Sequence, residues 1–209
     1  MKNFLLLLLT SFLLVSNTFA QSDITMRVNY GSENIDLQSI LQFEDIDLNK
    51  MRFSGNDLKD KDFQISIKEF VGGKLTKTDL VFDSTEGAYV KGDDYFRIKS
   101  DKFGFRVLTK VTSENSVKFD FQFNGFSKQK EYKVAAGQKE FALKSFLGSK
   151  PELSMPLNTN TYILTYMMPY VKKDGSTAYC EVAQSDVNPE DYGKKYAIPV
   201  YFLIDIKFQ

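Results

Sequence analysis

Apolar and polar side chains alternate with a period of two along much of this chain, and that period limits the folds open to it. Successive side chains of a β-strand point to opposite faces of a sheet, so this period marks strands with one apolar face. In the clearest case the apolar set is Val117, Phe119, Phe121 and Phe123, and the polar set between them is Lys118, Asp120 and Gln122. Residues 103–111 and 200–208 repeat the pattern. The sequence therefore predicts an all-β protein.

Turn residues between the alternating segments predict antiparallel hairpins. One hairpin is expected over 103–123 with a turn at 113–115, and a second over 63–82 with Gly72-Gly73 as its turn. A third is expected to join 161–171 to 177–182 through 173–176, with a bulge or a sheet edge at Pro169. Strands at this spacing favour an antiparallel β-sandwich.

Some segments do not fit one period alone. Residues 37–41 and 141–146 fit short helices as well as strands, so we predict a sandwich that carries one or two short helices. Residues 25–30 and 95–99 are weaker strand candidates. We expect a single domain over residues 21–209, with a sub-boundary near 148–160 as the alternative, because prolines and small polar residues gather there.

The first twenty residues have the layout of a secretory signal peptide. Lys2 gives a positive start, 4–15 is an apolar run, and small residues lie before a cut after Ala20. Twelve helical residues span about 18 Å, which is too short for a membrane anchor. A lipoprotein would need a cysteine at the new N-terminus, where this chain has Gln21. We predict an exported periplasmic or extracellular protein that is soluble and carries no lipid.

Composition excludes several classes of function. The chain has no histidine, a single cysteine (Cys180), and 27 basic against 27 acidic side chains. The lack of histidine excludes a Ser-His-Asp triad and the usual zinc sites, and the neutral balance argues against nucleic acid as a partner. Neither a nucleophile elbow nor a glycine-rich phosphate loop occurs. We therefore predict a protein that is not an enzyme and that needs no cofactor.

Carboxylates provide the only candidate metal ligands. Asp57, Asp60 and Asp62 are spaced like the ligands of a calcium loop, but a central glycine and a closing glutamate are missing. Lys59 and Lys61 would repel a cation, so a solvated turn is the competing interpretation. Glu44, Asp45 and Asp47 form another acidic group, for which a surface turn is the default.

Tyrosine is concentrated late in the chain, where seven of the eleven tyrosines follow residue 160. Exposed tyrosines can stack on a sugar or a protein partner, whereas tyrosines in strands commonly pack in a core. Tyr192 and Tyr196 flank Gly193-Lys194-Lys195 in an expected loop, and Tyr201 is expected on a solvent-facing side of its strand. These three residues are the predicted binding contacts.

Two longer motifs carry a family resemblance. They are the run 53–61 (FSGNDLKDK) before the strand with Ile65 and Ile67, and the closing run 196–204 (YAIPVYFLI). With its leader and its length, the chain resembles the uncharacterised secreted proteins of gut Bacteroides, a domain family of unknown function. The resemblance implies export and a β-rich fold, and it assigns no functional residue.

The sequence thus predicts an exported binding protein whose partner is a glycan, a peptide or a protein. The alternatives are a small outer-membrane β-barrel, for which about eight strands would fit the length, and a fibre or adhesin subunit whose terminal strand pairs with a neighbour. A carboxylate enzyme such as a glycosidase ranks last, because it would need two acids in one cleft.

Overall fold

Two open antiparallel sheets packed face to face make up the body of the protein. The computed structural model describes residues 24–86 and 95–209. The strands in chain order are β1 (Thr25–Tyr30), β2 (Asp47–Ser54), β3 (Phe63–Val71), β4 (Lys74–Asp83), β5 (Lys102–Thr112), β6 (Ser116–Gln122), β7 (Ser127–Lys133), β8 (Ala142–Ser145), β9 (Leu153–Ser154), β10 (Thr161–Met167), β11 (Tyr170–Val171), β12 (Thr177–Ala178) and β13 (Val200–Phe208).

Sheet A has the order β7-β6-β5-β2-β1-β9, and sheet B has the order β4-β3-β13-β10-β8. β11 and β12 form a separate two-stranded ribbon. The helices are α1 (Ile35–Phe43), α2 (Cys180–Ala183) and α3 (Tyr192–Tyr196), with short 3-10 turns at Asn56–Leu58 and Pro189–Asp191. The predicted antiparallel β-sandwich with short helices is confirmed.

The inner core lies between the two sheets, and phenylalanine is its commonest residue. Phe119 on β6 contacts Phe202 on β13, with 5.3 Å between ring centroids. At the other end, Phe53 on β2 contacts Phe208 at 5.2 Å. Each pair joins sheet A to sheet B, because the alternation places these rings on the facing sides of the two sheets. Aromatic pairs of this kind stabilise a core beyond the area they bury.

Strand β13 is buried on both faces. Its even-numbered residues from Val200 to Phe208 belong to the inner core, whereas Tyr201 and Leu203 belong to a second cluster, here called the outer core. The outer core lies on the other face of sheet B, under the segment 168–199 that connects β11, β12, α2 and α3. β13 is therefore a central strand in a three-layer arrangement at this end of the molecule.

The first two predicted hairpins are confirmed. β5 and β6 pair in register, and the turn between them has Asn115 in the left-handed region at φ 56°. β3 and β4 pair across Gly72 and Gly73, at φ 58° and 74°. Gly73 is also needed for a close approach, because a Cβ there would lie 3.1 Å from the backbone nitrogen of Lys194 in α3.

The third hairpin is much shorter than predicted. β10 ends before Pro169 and pairs with β8 and β13, so only β11 and β12 form the ribbon. After Ala178 the backbone turns into α2, because Val182 and Ala183 pack inward from a helix rather than from a strand. The strand expected over 177–182 is thus wrong beyond Ala178. Residues 95–99 also form no strand.

The structure resolves the two ambiguous segments in opposite ways. Residues 35–43 form α1, and residues 142–145 form β8, whose edge position in sheet B is set by pairing with β10.

None of the helices within residues 24–86 and 95–209 combines the length and the apolar character that crossing a bilayer requires. The predicted signal peptide, residues 1–20, lies outside the described residues. The segment 148–160 contributes β9, which pairs with β1.

Replacing Tyr201 tests the two-sided burial of β13. Its ring stacks on Phe70 with 4.7 Å between centroids, and its hydroxyl donates to the Glu190 carbonyl at 2.8 Å. We expect Tyr201→Ala to lower the free energy of unfolding in urea by about 3–5 kcal/mol. Phe43→Ala, at a side chain that is 85% exposed, should change it by less than about 0.5 kcal/mol. Equal effects of the two changes would contradict the burial of Tyr201.

Candidate functional site

Helix α1 lies in the connection between β1 and β2, and local chemistry explains why it forms there. The Asn34 side chain caps the helix, because its Oδ1 accepts a hydrogen bond from the Leu37 amide at 3.0 Å. The negative charge of Asp36 in the first turn is attracted to the positive end of the helix dipole. The helix ends where Asp45 adopts a left-handed conformation at φ 51°. The Ile46 amide then bonds to the Leu41 carbonyl at 2.8 Å.

The apolar side chains of α1 face solvent. Ile35, Leu37, Ile40 and Phe43 are 75%, 45%, 57% and 85% exposed, and only Leu41 is buried. Leu37, Ile40 and Phe43 follow one another at intervals of three, so they are neighbours on the helix. We call Ile35, Leu37, Ile40 and Phe43 together the α1 surface. This is the reverse of the usual amphipathic helix, whose apolar side faces the core.

The opposite side of α1 covers a cavity of about 560 Å³ at one end of the sandwich. Gln38, Leu41 and Gln42 line it from the helix. Sheet A and the edge strand of sheet B supply most of the remaining wall, and the two are linked by a hydrogen bond between Tyr30 Oη and Ser145 Oγ of 2.5 Å. The other lining residues are Tyr30, Gly31, Asp45, Ile46, Asp47, Leu48, Asn49, Phe141, Leu143 and Lys144.

The cavity wall carries two polar groups with unusual surroundings. Burial raises the pKa of Asp47, while the Leu143 amide, which donates to its Oδ2 at 3.1 Å, and nearby Lys144 oppose that rise. Asn49 is 3% exposed, and its Nδ2 has no hydrogen-bond partner among the described residues. The cavity can therefore accept a polar group, because buried donors without partners are costly in a native fold.

The segment around α1 is uniformly acidic. Residues 31–47 contain five acids and no lysine or arginine. The one ion pair that the described residues give these acids joins Glu44 to Lys110, with 3.3 Å between Oε2 and Nζ. The α1 surface is thus an apolar patch with a negative rim.

The predicted tyrosine contacts do not form an exposed platform. Tyr192 and Tyr201 are both 0% exposed and lie in the outer core, and Tyr196 is half-buried against Tyr192. The expected loop is instead the helix α3, which packs through Gly193 against Gly73 in the β3–β4 turn and against the Tyr201 ring. The expectation that Tyr192 and Tyr201 face solvent is wrong, because segment 168–199 covers the face of β13 that a two-layer sandwich would leave open.

The predicted metal ligands are not brought together. Asp57 lies in the 3-10 turn, and Asp60 is exposed with φ 62°. Asp62 accepts from Ser84 Oγ at 2.9 Å and forms an ion pair of 3.0 Å with Arg97, so its charge is already compensated. In the part of the chain that the structure describes, no three acidic or cysteine side chains converge on a point that could hold a metal ion.

A buried acid cluster lies on sheet B beside the outer core, and sequence reasoning missed it. Asp205 is 1% exposed; it accepts from Asn160 Nδ2 at 3.1 Å, and its Oδ2 has no partner in residues 24–86 and 95–209. Nearby, Lys68 Nζ donates to Glu190 and to the Tyr162 hydroxyl, each at 2.7 Å, and that hydroxyl donates to Glu190. The one hint in the sequence is an acid between Ile204 and Ile206.

Asp205 is a poor catalytic group, because a substrate cannot reach a carboxylate that is almost fully buried. Burial raises the pKa of Asp205 to about 6, with Lys68 opposing the rise. Hydrogen bonds from Lys68 and Tyr162 lower the pKa of Glu190. These shifts make the stability of the fold depend on pH.

Comparison with known proteins adds no relative. No protein-family model, no curated protein and no solved structure matches this chain. The resemblance to secreted Bacteroides proteins therefore stays a prediction.

Asp205 should make stability depend on pH. The pKa of Asp205 in the folded state is about 6, above the ordinary value of 3.8. At a pH between these two values, the native state therefore holds a proton that the unfolded state has lost. Stability should fall as pH rises through about 4–6, by roughly 3 kcal/mol from this group.

The variant Asp205→Asn removes this titration. It should abolish that part of the pH dependence and exceed the native chain in stability above pH 6. Urea unfolding between pH 4 and 7 measures this, with the exposed Asp186→Asn as the control for loss of one charge. An unchanged profile in Asp205→Asn would show that Asp205 stays ionised throughout.

Proposed function

We propose that this chain is an exported, non-enzymatic binding protein that holds a partner protein through the α1 surface. The observation that carries the proposal is the outward apolar side of α1. Soluble monomers seldom expose large apolar side chains side by side, and such patches commonly mark interaction sites. Covering a fully exposed side chain of this size contributes about 1.5–3 kcal/mol, and each of these four would contribute in proportion to its exposed fraction.

The acidic rim indicates what the partner carries. Glu33, Asp36, Glu44 and Asp45 border the α1 surface in sequence, so the complementary partner presents apolar side chains with basic residues around them. A second copy of the chain docking through the same surface would place acids against acids. An anionic membrane surface would be repelled for the same reason.

The cavity under α1 gives the partner a second point of attachment. Its wall offers the Asn49 amide, the Asp47 carboxyl and the glutamines of the helix. A polar side chain or backbone group from the partner would reach round α1 to enter there, because Ile40 and Phe43 lie on the other side of the helix. This is the usual division between an apolar anchor and orienting polar contacts.

Export is the second element of the proposal, and its support is the N-terminal pattern of residues 1–20. The non-enzymatic assignment is supported by the lack of histidine and of nucleophile motifs in the sequence. Export and the lack of enzyme activity are proposals about the whole chain, and neither depends on which partner binds α1.

Selection from a random peptide library displayed on phage tests the binding proposal. We expect the native chain to enrich peptides that combine leucine or phenylalanine with lysine or arginine. The double variant Ile40→Ser/Phe43→Ser should bind the selected peptides at least about tenfold more weakly. The matched control is Val71→Ser/Leu75→Ser, which exchanges two other exposed apolar residues at the β3–β4 turn and should bind normally.

Three results would contradict the proposal. Equal binding by the α1 variant and the control would show that α1 is not the contact surface. Sedimentation that reveals a dimer lost only in the α1 variant would identify a second copy as the occupant. Binding to neutral phosphatidylcholine vesicles that depends on Ile40 and Phe43 would identify a membrane instead.

A further inference from the structure

A cluster of basic side chains lies on the outer face of sheet A, away from the inner core. On β2, Lys50 and Arg52 point to this face, and the strand register places Arg106 of β5 opposite Lys50 and Arg27 of β1 opposite Arg52. Like charges directly across a sheet destabilise it, so two such pairs side by side are unfavourable without a counter-charge. Arg27 has such a counter-charge, because its Nη2 lies 2.8 Å from Glu152 Oε2.

Lys50, Arg52 and Arg106 have no such counter-charge. No salt bridge or side-chain hydrogen bond joins any of the three to another residue within the described ranges 24–86 and 95–209. They border a shallow concavity of about 450 Å³, whose other polar side chains are the amides Gln122 and Asn124, and no acid lines it. Arg52 and Arg106 are exposed. We call this feature the basic concavity.

Gly104 forms the floor of the basic concavity. It lies opposite Arg52 and two residues before Arg106, so its missing side chain leaves room between the two guanidinium groups. A Cβ at this position would lie 2.7 Å from the Met51 carbonyl oxygen, which real Cβ atoms do not tolerate. The close approach of β2 and β5 therefore requires glycine here and keeps the concavity open.

We propose that the basic concavity binds the sulfate or carboxylate groups of an acidic polysaccharide. Arginine presents two parallel N–H groups that match the oxygens of either anion. Each exposed ion pair in water contributes at most about 1 kcal/mol, so one small anion would bind weakly. A polymer engages several cations at once, and Lys102 continues the row along the same face of β5.

Nucleic acid fits this face less well. Binding of a single strand relies on aromatic side chains that stack on bases, and among the described strands of sheet A only Tyr30 exposes a large aromatic ring. Tyr30 lies at the α1 end of the sheet, beside the other cavity. Three cations are also few for a duplex, whose binding typically neutralises many phosphates.

Titration of the full mature chain with defined polymers tests the inference. The probes are heparin for sulfate groups, polygalacturonate for carboxylates, dextran as the uncharged polymer, inorganic sulfate as the small anion, and a single-stranded oligonucleotide. We expect heparin or polygalacturonate to bind, more weakly as salt is added, and dextran not to bind. Arg52→Gln/Arg106→Gln should weaken binding by at least about tenfold.

The control variant is Lys74→Gln/Lys150→Gln, which removes the same two charges at exposed positions outside the concavity and should change affinity less than about twofold. Thermal melting of each variant confirms folding. The inference is overturned if neither polysaccharide binds, or if both double variants lose affinity equally. It is also overturned if inorganic sulfate alone binds as tightly as the polymers, or if the oligonucleotide binds more tightly at this site. None of these outcomes depends on α1.

Discussion

Burial of β13 on both faces is the constraint on which the rest of the structure depends. The strand pairs with β3 along its whole length and with β10 on the other side, so its backbone holds the middle of sheet B. One face closes the inner core through Phe202, and the other requires a cover because Tyr201 and Leu203 lie there. Segment 168–199 provides that cover. The tyrosine-rich end of the chain therefore stabilises the fold, and the proposed contact surfaces lie elsewhere.

Sequence reasoning succeeded where the structure is decided by neighbours along the chain. The alternation around Phe119 and the glycine turn at 72–73 specify hairpins, because the side-chain period and the turn chemistry are local properties. It failed for Tyr201, since the local pattern of β13 shows a one-sided strand, and only the packing of a distant segment makes its second face interior. The third hairpin failed for the same reason: Val182 is apolar at a strand-like position, yet it reaches the outer core from a helix.

The candidate sites also depend on contacts between residues that are remote in sequence, which local patterns do not predict. Asp57, Asp60 and Asp62 have ligand spacing, but the orientation of each carboxylate depends on partners such as Arg97 that are remote in sequence. Helix α1 has five large apolar residues in nine, which fits either period and does not reveal which side meets solvent. The balanced net charge does not reveal how the charges are distributed over the surface. Acids gather around α1 and cations gather on sheet A, so a neutral chain presents two surfaces of opposite sign.

Native-state hydrogen exchange tests the central claim most directly, because it ranks backbone amides by the free energy needed to expose them. If β13 is the strand on which both cores depend, its amides from Val200 to Phe208 will be among the slowest to exchange and will open only with global unfolding. The amides of α1, which few contacts hold to the sandwich, will exchange by local opening. Exchange of the Tyr201 and Leu203 amides as fast as those of α1 would contradict the account.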